Sequence, residues 1–163
     1  MNVLKVIVAL ALVVGLSACS SKFKTYNGPE VTRVVVLKER RIMQLYHHDK
    51  VLEQYDIDLG FAPTGDKVIK GDGKTPEGRY FIDRRNPNSR FHLSVGISYP
   101  NEADRAYARA HGQSPGGDIF IHGTPGMYVG EKDWTWGCIA VSNDEMEDVY
   151  AMVHTGTPVV IYP

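Results

Sequence analysis

From Val51 to Leu59 the side chains alternate, with Val51, Glu53, Tyr55, Ile57 and Leu59 on one side and Leu52, Gln54, Asp56 and Asp58 on the other. A period of two that separates a mostly apolar face from a mostly polar one specifies a half-buried β-strand. The runs "VTRVVVLKER" and "RIMQLYH" precede it, and "HHDK" supplies the hairpin turn into it. Farther on, Gly and Pro cut the chain into pieces too short for long helices, with short strands expected around Tyr80 to Asp83 and Phe91 to Ile97. "EADRAYARAHG" from Glu102 is helix-like and stops at Gly112, and "GGDIFIHG" returns to a strand. In "SNDEMEDVYAMV", Ser142 is followed three residues on by Glu145, a capping box, and Met146, Val149, Tyr150 and Val153 fall at helical spacing. "TPVVIYP" closes the chain as a strand. The expected fold is mainly β with one or two short helices, and 163 residues hold one domain with a proper core.

The N-terminus has a separate logic. In "MNVLKVIVALALVVGLSACS", Lys5 precedes an apolar run from Val6 to Leu16, and Ser17 and Ala18 lead to Cys19. The run is too short to span a bilayer and lacks the polar face of a buried helix, so residues 1–18 read as an export signal. "LSAC" resembles a bacterial lipobox, which implies that Cys19 is lipidated and that its acyl chains hold the protein to a membrane. The expected location is the bacterial envelope, facing the periplasm, with the outer membrane favoured because Ser20 rather than Asp follows Cys19. Residues 19–30 read as the lipidated cysteine and a polar tether lifting the domain off the membrane, and residues 31–163 as the domain. A net charge of -1 with scattered basic residues gives no electrostatic reason for nucleic acid to bind.

The chain has two cysteines. With Cys19 consumed by lipid, Cys138 has no partner in an oxidising compartment, which makes it a candidate for reactive chemistry. In "DIFIH", Ile119 and Ile121 share one face while Phe120 and His122 share the other. A cysteine and a histidine brought together exchange a proton to make a thiolate nucleophile, and Gly137 lets backbone approach a bound carbonyl. Spacing alone leaves open a small buried cysteine and a structural strand-end histidine.

"IHGT" at Ile121 to Thr124 and "TWGCI" at Thr135 to Ile139, with "GDGKTPEGRYFI" upstream, resemble the signature of the YkuD-type L,D-transpeptidase catalytic domain, and "DWTWGCIAVSNDEM" looks most like its YafK-like branch. The resemblance implies a mainly β sandwich or barrel acting on peptidoglycan stem peptides without a cofactor. It implies Cys138 as nucleophile, His122 as general base and acid, and Gly123 as the residue whose carbonyl orients the histidine. Thr135 and Gly137 match the loop presenting the thiol, with the Gly137 and Cys138 amides as oxyanion donors. Thr124 and Trp136 fall in the pocket by position. Many members carry Arg or Asn where Ala140 stands, so the substrate contacts differ. The implied reaction is attack on the third residue of a tetrapeptide stem, typically meso-diaminopimelate, with loss of the terminal D-Ala. Resolution by a neighbouring stem gives a cross-link, and resolution by a lysine of an envelope lipoprotein tethers that lipoprotein. Resolution by water makes the enzyme a carboxypeptidase or amidase. A non-catalytic wall-binding lipoprotein is the reading from another class.

Elsewhere, His92 is a candidate for the cleft wall, and no His, Cys, Asp or Glu cluster has metal-binding spacing. Trp134 and Trp136 fall on one side of an extended loop. Arg84, Arg85 and Arg90 are available either to stem-peptide carboxylates or to solvent.

Overall fold

The computed structural model describes residues 21–163; the export signal expected over 1–18 and the lipidation expected at Cys19 lie outside the described residues. The strands are β1 (Arg33–Leu37), β2 (Ile42–His47), β3 (Lys50–Asp56), β4 (Gly78–Asn86), β5 (Ser94–Ile97), β6 (Phe120–His122), β7 (Ile139–Ala140) and β8 (Pro158–Tyr162). Among the described residues, two α-helices, α1 (Glu102–Ala110) and α2 (Asn143–Met152), and a 3₁₀ turn at Gly126–Tyr128 complete them. The strands form one sheet in the order β3-β2-β1-β8-β4-β5-β6-β7, parallel at β1/β8 and β6/β7 and antiparallel elsewhere.

The sheet curls until its two ends meet. Past β3, the Asp58 N–H donates to the Ala140 carbonyl at 2.9 Å and the Ala140 N–H donates back to Asp58 at 2.8 Å. A parallel bridge joins Gly60 to Thr135. Closure satisfies backbone groups that a free edge would present to water. Val36, Met43, Leu45, Ile82, Ile97 and Ile121 are fully enclosed in the resulting core. Each such side chain contributes about 1.5–3 kcal/mol by leaving water.

Helix α2 forms where its cap predicts. The Ser142 side chain accepts from the Glu145 N–H and the Glu145 carboxylate accepts from the Ser142 N–H, while Met146, Val149 and Met152 face the core. Helix α1 carries its own capping box between Asn101 and Asp104 and buries only Ala108. The alternation read in β3 holds only toward its end. Tyr55 is buried but Val51 stays exposed, because β3 lies at the end of the sheet order and a bulge between Leu45 and Tyr46 shifts its register.

Residues 21–30 do not stand away from the domain as a lifting tether. The Lys22 ammonium donates to the carbonyls of Pro87 at 2.7 Å and His92 at 2.9 Å, and that of Lys24 donates to Asp144 O at 3.0 Å and Asp148 Oδ1 at 2.8 Å. Two cations thus satisfy loop and helix acceptors and lay the segment against the surface.

Candidate active site

Strands β6 and β7 place His122 and Cys138 on the wall of one cavity. Their parallel register pairs Ile121 with Ile139 and His122 with Ala140, so Cys138, just before β7, lies against Phe120. The Phe120 N–H donates to Sγ at 3.4 Å, and the thiol points its own hydrogen at the Asp118 carbonyl, 3.6 Å away. Thr135, almost wholly buried, clamps the loop ahead of the cysteine. Its hydroxyl donates to the Cys138 carbonyl at 2.8 Å and accepts from the Gly137 N–H at 3.1 Å, while its backbone bonds Leu59 and Phe61. Gly137 sits at φ +117, and a Cβ there would come within 2.5 Å of the Lys74 carbonyl oxygen. Only glycine fits this turn.

His122 is 3 % exposed. Its Nδ1 is 2.8 Å from the Gly123 carbonyl oxygen, which only accepts, so Nδ1 carries the hydrogen and Nε2 keeps its lone pair. The Gly123 N–H is held in turn by the carbonyls of Phe91 at 3.0 Å and Leu93 at 3.3 Å. Phe91 stacks on the imidazole with centroids 4.4 Å apart, and Trp134 packs at 5.6 Å from it while stacking on Tyr128 at 4.1 Å. This aromatic surround packs against the ring and holds it buried. The sequence reading missed Phe91 and Tyr128 as supports.

Cys138 lies where two cavities adjoin. The larger, about 580 Å³, is lined by Lys67, Lys70, Asp118, Trp136 and Cys138 among others. The smaller, about 330 Å³, is lined by Arg90, Phe91, Phe120, His122 and Cys138 with the 86–89 loop. Trp136 is 72 % exposed, edge-on to Phe61 at 5.0 Å, and belongs to the larger cavity. The two tryptophans therefore part, Trp134 to the histidine and Trp136 to the open cleft, rather than sharing one side of the loop.

Three expectations need correction. His92 does not line the cleft: it adopts φ +69 and its Nε2 meets Glu147 at 2.9 Å on α2, while Phe91 takes the cleft position. Thr124 donates to the Val141 carbonyl at 2.8 Å and lines a separate hollow of about 200 Å³ with Asp56, Asp58 and Asn143. The Gly137 N–H is committed to Thr135 and is not an oxyanion donor in this conformation. Ala140 is buried in its pairing with Asp58. Of the three arginines, Arg84 lies over Phe120 and Arg85 over Tyr150, and Arg90 reaches the smaller cavity. Among the described residues, no three His, Cys, Asp or Glu side chains converge as a metal would need.

Burial pushes the Cys138 thiol above its ordinary range, and the Asp118 carboxylate adds to this against the opposing Phe120 N–H and Lys67 ammonium. Burial pushes His122 below its ordinary range, partly offset by its bond to Gly123. Both shifts favour the neutral form, thiol and imidazole alike. Alkylation of Cys138 by iodoacetamide is therefore expected to accelerate only above the ordinary thiol value of about 8.5, whereas a rate plateau reaching into acid would reveal a thiolate–imidazolium pair. Stability follows the same shifts. The lowered His122 value gives a contribution fully present above the unfolded value of about 6.5 and lost as pH falls toward the folded one. The raised Cys138 value gives a contribution present below about 8.5 and lost as pH rises toward the folded one. Urea midpoints against pH, with His122→Gln flattening the acid limb, test the sign.

The structure thus defines a curled mainly β domain with a carbonyl-oriented histidine ending one strand and a cysteine just ahead of the parallel strand beside it. The YkuD model, the L,D-transpeptidase catalytic domain, matches residues 31–161, and the chain belongs to that family. YafK of Escherichia coli (strain K12), itself assigned only provisionally as an L,D-transpeptidase, is 32% identical over 140 residues, 82% of this chain and 52% of YafK. The helical cell shape determining protein Pgp2 of Campylobacter jejuni (K307A mutant) superposes with a TM-score of 0.66 at 30% identity, over 83% of this chain and 48% of Pgp2. An L,D-transpeptidase from Mycobacterium smegmatis, 18% identical, shares the fold with a TM-score of 0.56 over 83% of this chain and 60% of its own. The chain spans about half the length of YafK and of Pgp2.

Proposed function

We propose that this chain is a peptidoglycan-modifying cysteine L,D-transpeptidase working through an acyl-enzyme on Cys138. The observation that carries the reading is the Nδ1–H of His122 on the Gly123 carbonyl, which leaves a basic Nε2 in the cavity shared with Cys138. Sγ attacks the carbonyl of the third stem residue as its proton passes to Nε2, and a C–S bond forms. The Cys138 N–H stabilises the oxyanion. Collapse breaks the C–N bond, Nε2 returns the proton to the departing D-Ala amine, and a thioester remains. An amine then attacks the thioester carbonyl, loses its proton through Nε2 to the leaving sulfur, and takes the acyl group.

The proton path assigns the two cavities. Both amines exchange protons with His122, so they occupy the smaller cavity, and the acyl chain runs into the larger. The acceptor is a neighbouring stem or the lysine of an envelope lipoprotein. Family membership and the likeness to Pgp2, a cell-shape protein, support a peptidoglycan substrate. An exported chain anchored through Cys19 meets that substrate in the envelope.

One feature favours hydrolysis as a second reading. Ala140, buried and paired with Asp58, offers no polar grip for an acceptor, which suits a carboxypeptidase or amidase that lets water resolve the thioester and cuts lipoprotein–peptidoglycan links. Incubation with tetrapeptide muropeptides, with and without added amine, against Cys138→Ala separates the readings. Amine-exchanged product lost in the variant establishes transfer, and shortened stems without exchange establish hydrolysis. No Cys138-dependent change would leave a wall-binding protein.

A further inference from the structure

The larger cavity at Cys138 contains a cation that no step above uses. Lys67 is 4 % exposed yet lines that cavity. Its ammonium donates to the Ile69 carbonyl at 3.1 Å and to Asp72 Oδ1 at 2.8 Å, two partners for three N–H hydrogens. The surrounding loop holds this arrangement in place. Asp72 accepts further hydrogen bonds from the backbone N–H groups of Val68, Ile69 and Lys74, and the Lys70 N–H ties the loop to the Ser114 carbonyl at 2.8 Å. Holding a charge this deep is costly unless it is paired and hydrogen-bonded.

The other charges facing the cavity leave the lysine available. Lys70 adds a second cation at an exposed position, and the Asp118 carboxylate is 3.2 Å from Arg84. With Lys67 paired to Asp72 and Asp118 to Arg84, what the lining offers beside the thiol is the third Lys67 N–H and the Lys70 ammonium, donors suited to an anionic ligand. Nothing comparable lies in the smaller cavity except Arg90.

We propose that Lys67 is a specificity-determining residue that reads a free carboxylate on the acyl donor, with Lys70 assisting at the mouth. The inference rests on the acyl-donor reading above. The acyl chain enters the larger cavity, and its third residue, diaminopimelate, carries a side-chain carboxylate that a lysine in the same position lacks. A charge-assisted hydrogen bond from the remaining Lys67 N–H is made by the first and not by the second.

The test compares two tetrapeptide stems, one with meso-diaminopimelate and one with L-lysine in third position, on the wild-type protein, Lys67→Gln and Lys67→Gln/Asp72→Asn. The double variant guards against a fold weakened by leaving Asp72 unpaired. The wild type is expected to prefer the diaminopimelate stem by about tenfold or more in kcat/KM, the size of one charge-assisted hydrogen bond. Both variants should lose most of that preference through poorer use of the diaminopimelate stem. A preference that survives in both overturns the assignment while leaving the transferase reading intact. If neither stem is turned over in a Cys138-dependent way, the transferase reading falls, and binding decides the Lys67 assignment separately. The dipeptides γ-D-glutamyl-diaminopimelate and γ-D-glutamyl-lysine are then titrated into Cys138→Ala, with the indole resonance of Trp136 as readout. A shift confined to the diaminopimelate ligand and abolished by adding Lys67→Gln supports the site, and equal or absent shifts overturn it.

Discussion

His122→Gln is expected to lower turnover of a tetrapeptide stem by about 10²–10⁴-fold, the range that a positioned general base supplies. Glutamine has no lone pair of useful basicity, so it cannot take the Sγ proton during attack or return it to the departing amine. The raised thiol makes the loss larger, because little thiolate exists at neutral pH without the histidine. Two secondary readouts separate chemistry from packing. Residual turnover should climb with pH as hydroxide takes over deprotonation, and alkylation of Cys138 by iodoacetamide at alkaline pH should persist. A loss below about tenfold would mean that another group serves as the base.

Gly137→Ala is expected to damage both stability and activity. The turn demands φ +117, and the added Cβ would lie 2.5 Å from the Lys74 carbonyl oxygen and 3.3 Å from Ile119 Cδ1. Backbone strain of this kind costs about 1–3 kcal/mol before the clash is counted. Relief requires the loop to move, which breaks the Thr135 clamp and shifts Sγ from Phe120, so kcat/KM is expected to fall by about 10²-fold, the scale of a misplaced nucleophile. Gly126→Ala is the control, since nothing lies within 4 Å of a Cβ at that position. A Gly137→Ala protein with the urea midpoint and turnover of Gly126→Ala would contradict a rigid thiol-presenting turn.

Features governed by neighbouring residues were legible in the sequence. The β2–β3 hairpin and the capped helix α2 follow from alternation and from Ser142 with Glu145, and both stand in the structure. The fold class followed from the same patterns together with the family resemblance. Strand β7 was not legible, because two residues carry no periodicity and its partners, β6 and Asp58, come from distant parts of the chain. Direction was the other blind spot. His92 and Phe91 are neighbours, and a positive φ decides which of them meets the cleft. Thr124 stands two residues from His122 yet turns to Val141. The Gly137 N–H was free on paper and is claimed by a hydroxyl two residues away. The burial of Lys67 was not legible either, because lysines are almost never fully buried unless paired, and its partners, Asp72 and the Ile69 carbonyl, are set by the fold of the loop.

The central claim is that Cys138 receives the acyl group with His122 as its base. Intact-protein mass spectrometry during turnover of a diaminopimelate tetrapeptide stem tests it most directly. The expected result is a transient adduct whose mass is that of the stem less its terminal D-Ala, localised to the Cys138 peptide, discharged by added amine or by water, and absent from Cys138→Ala. Turnover without any adduct on Cys138, or an adduct on another residue, would contradict the account.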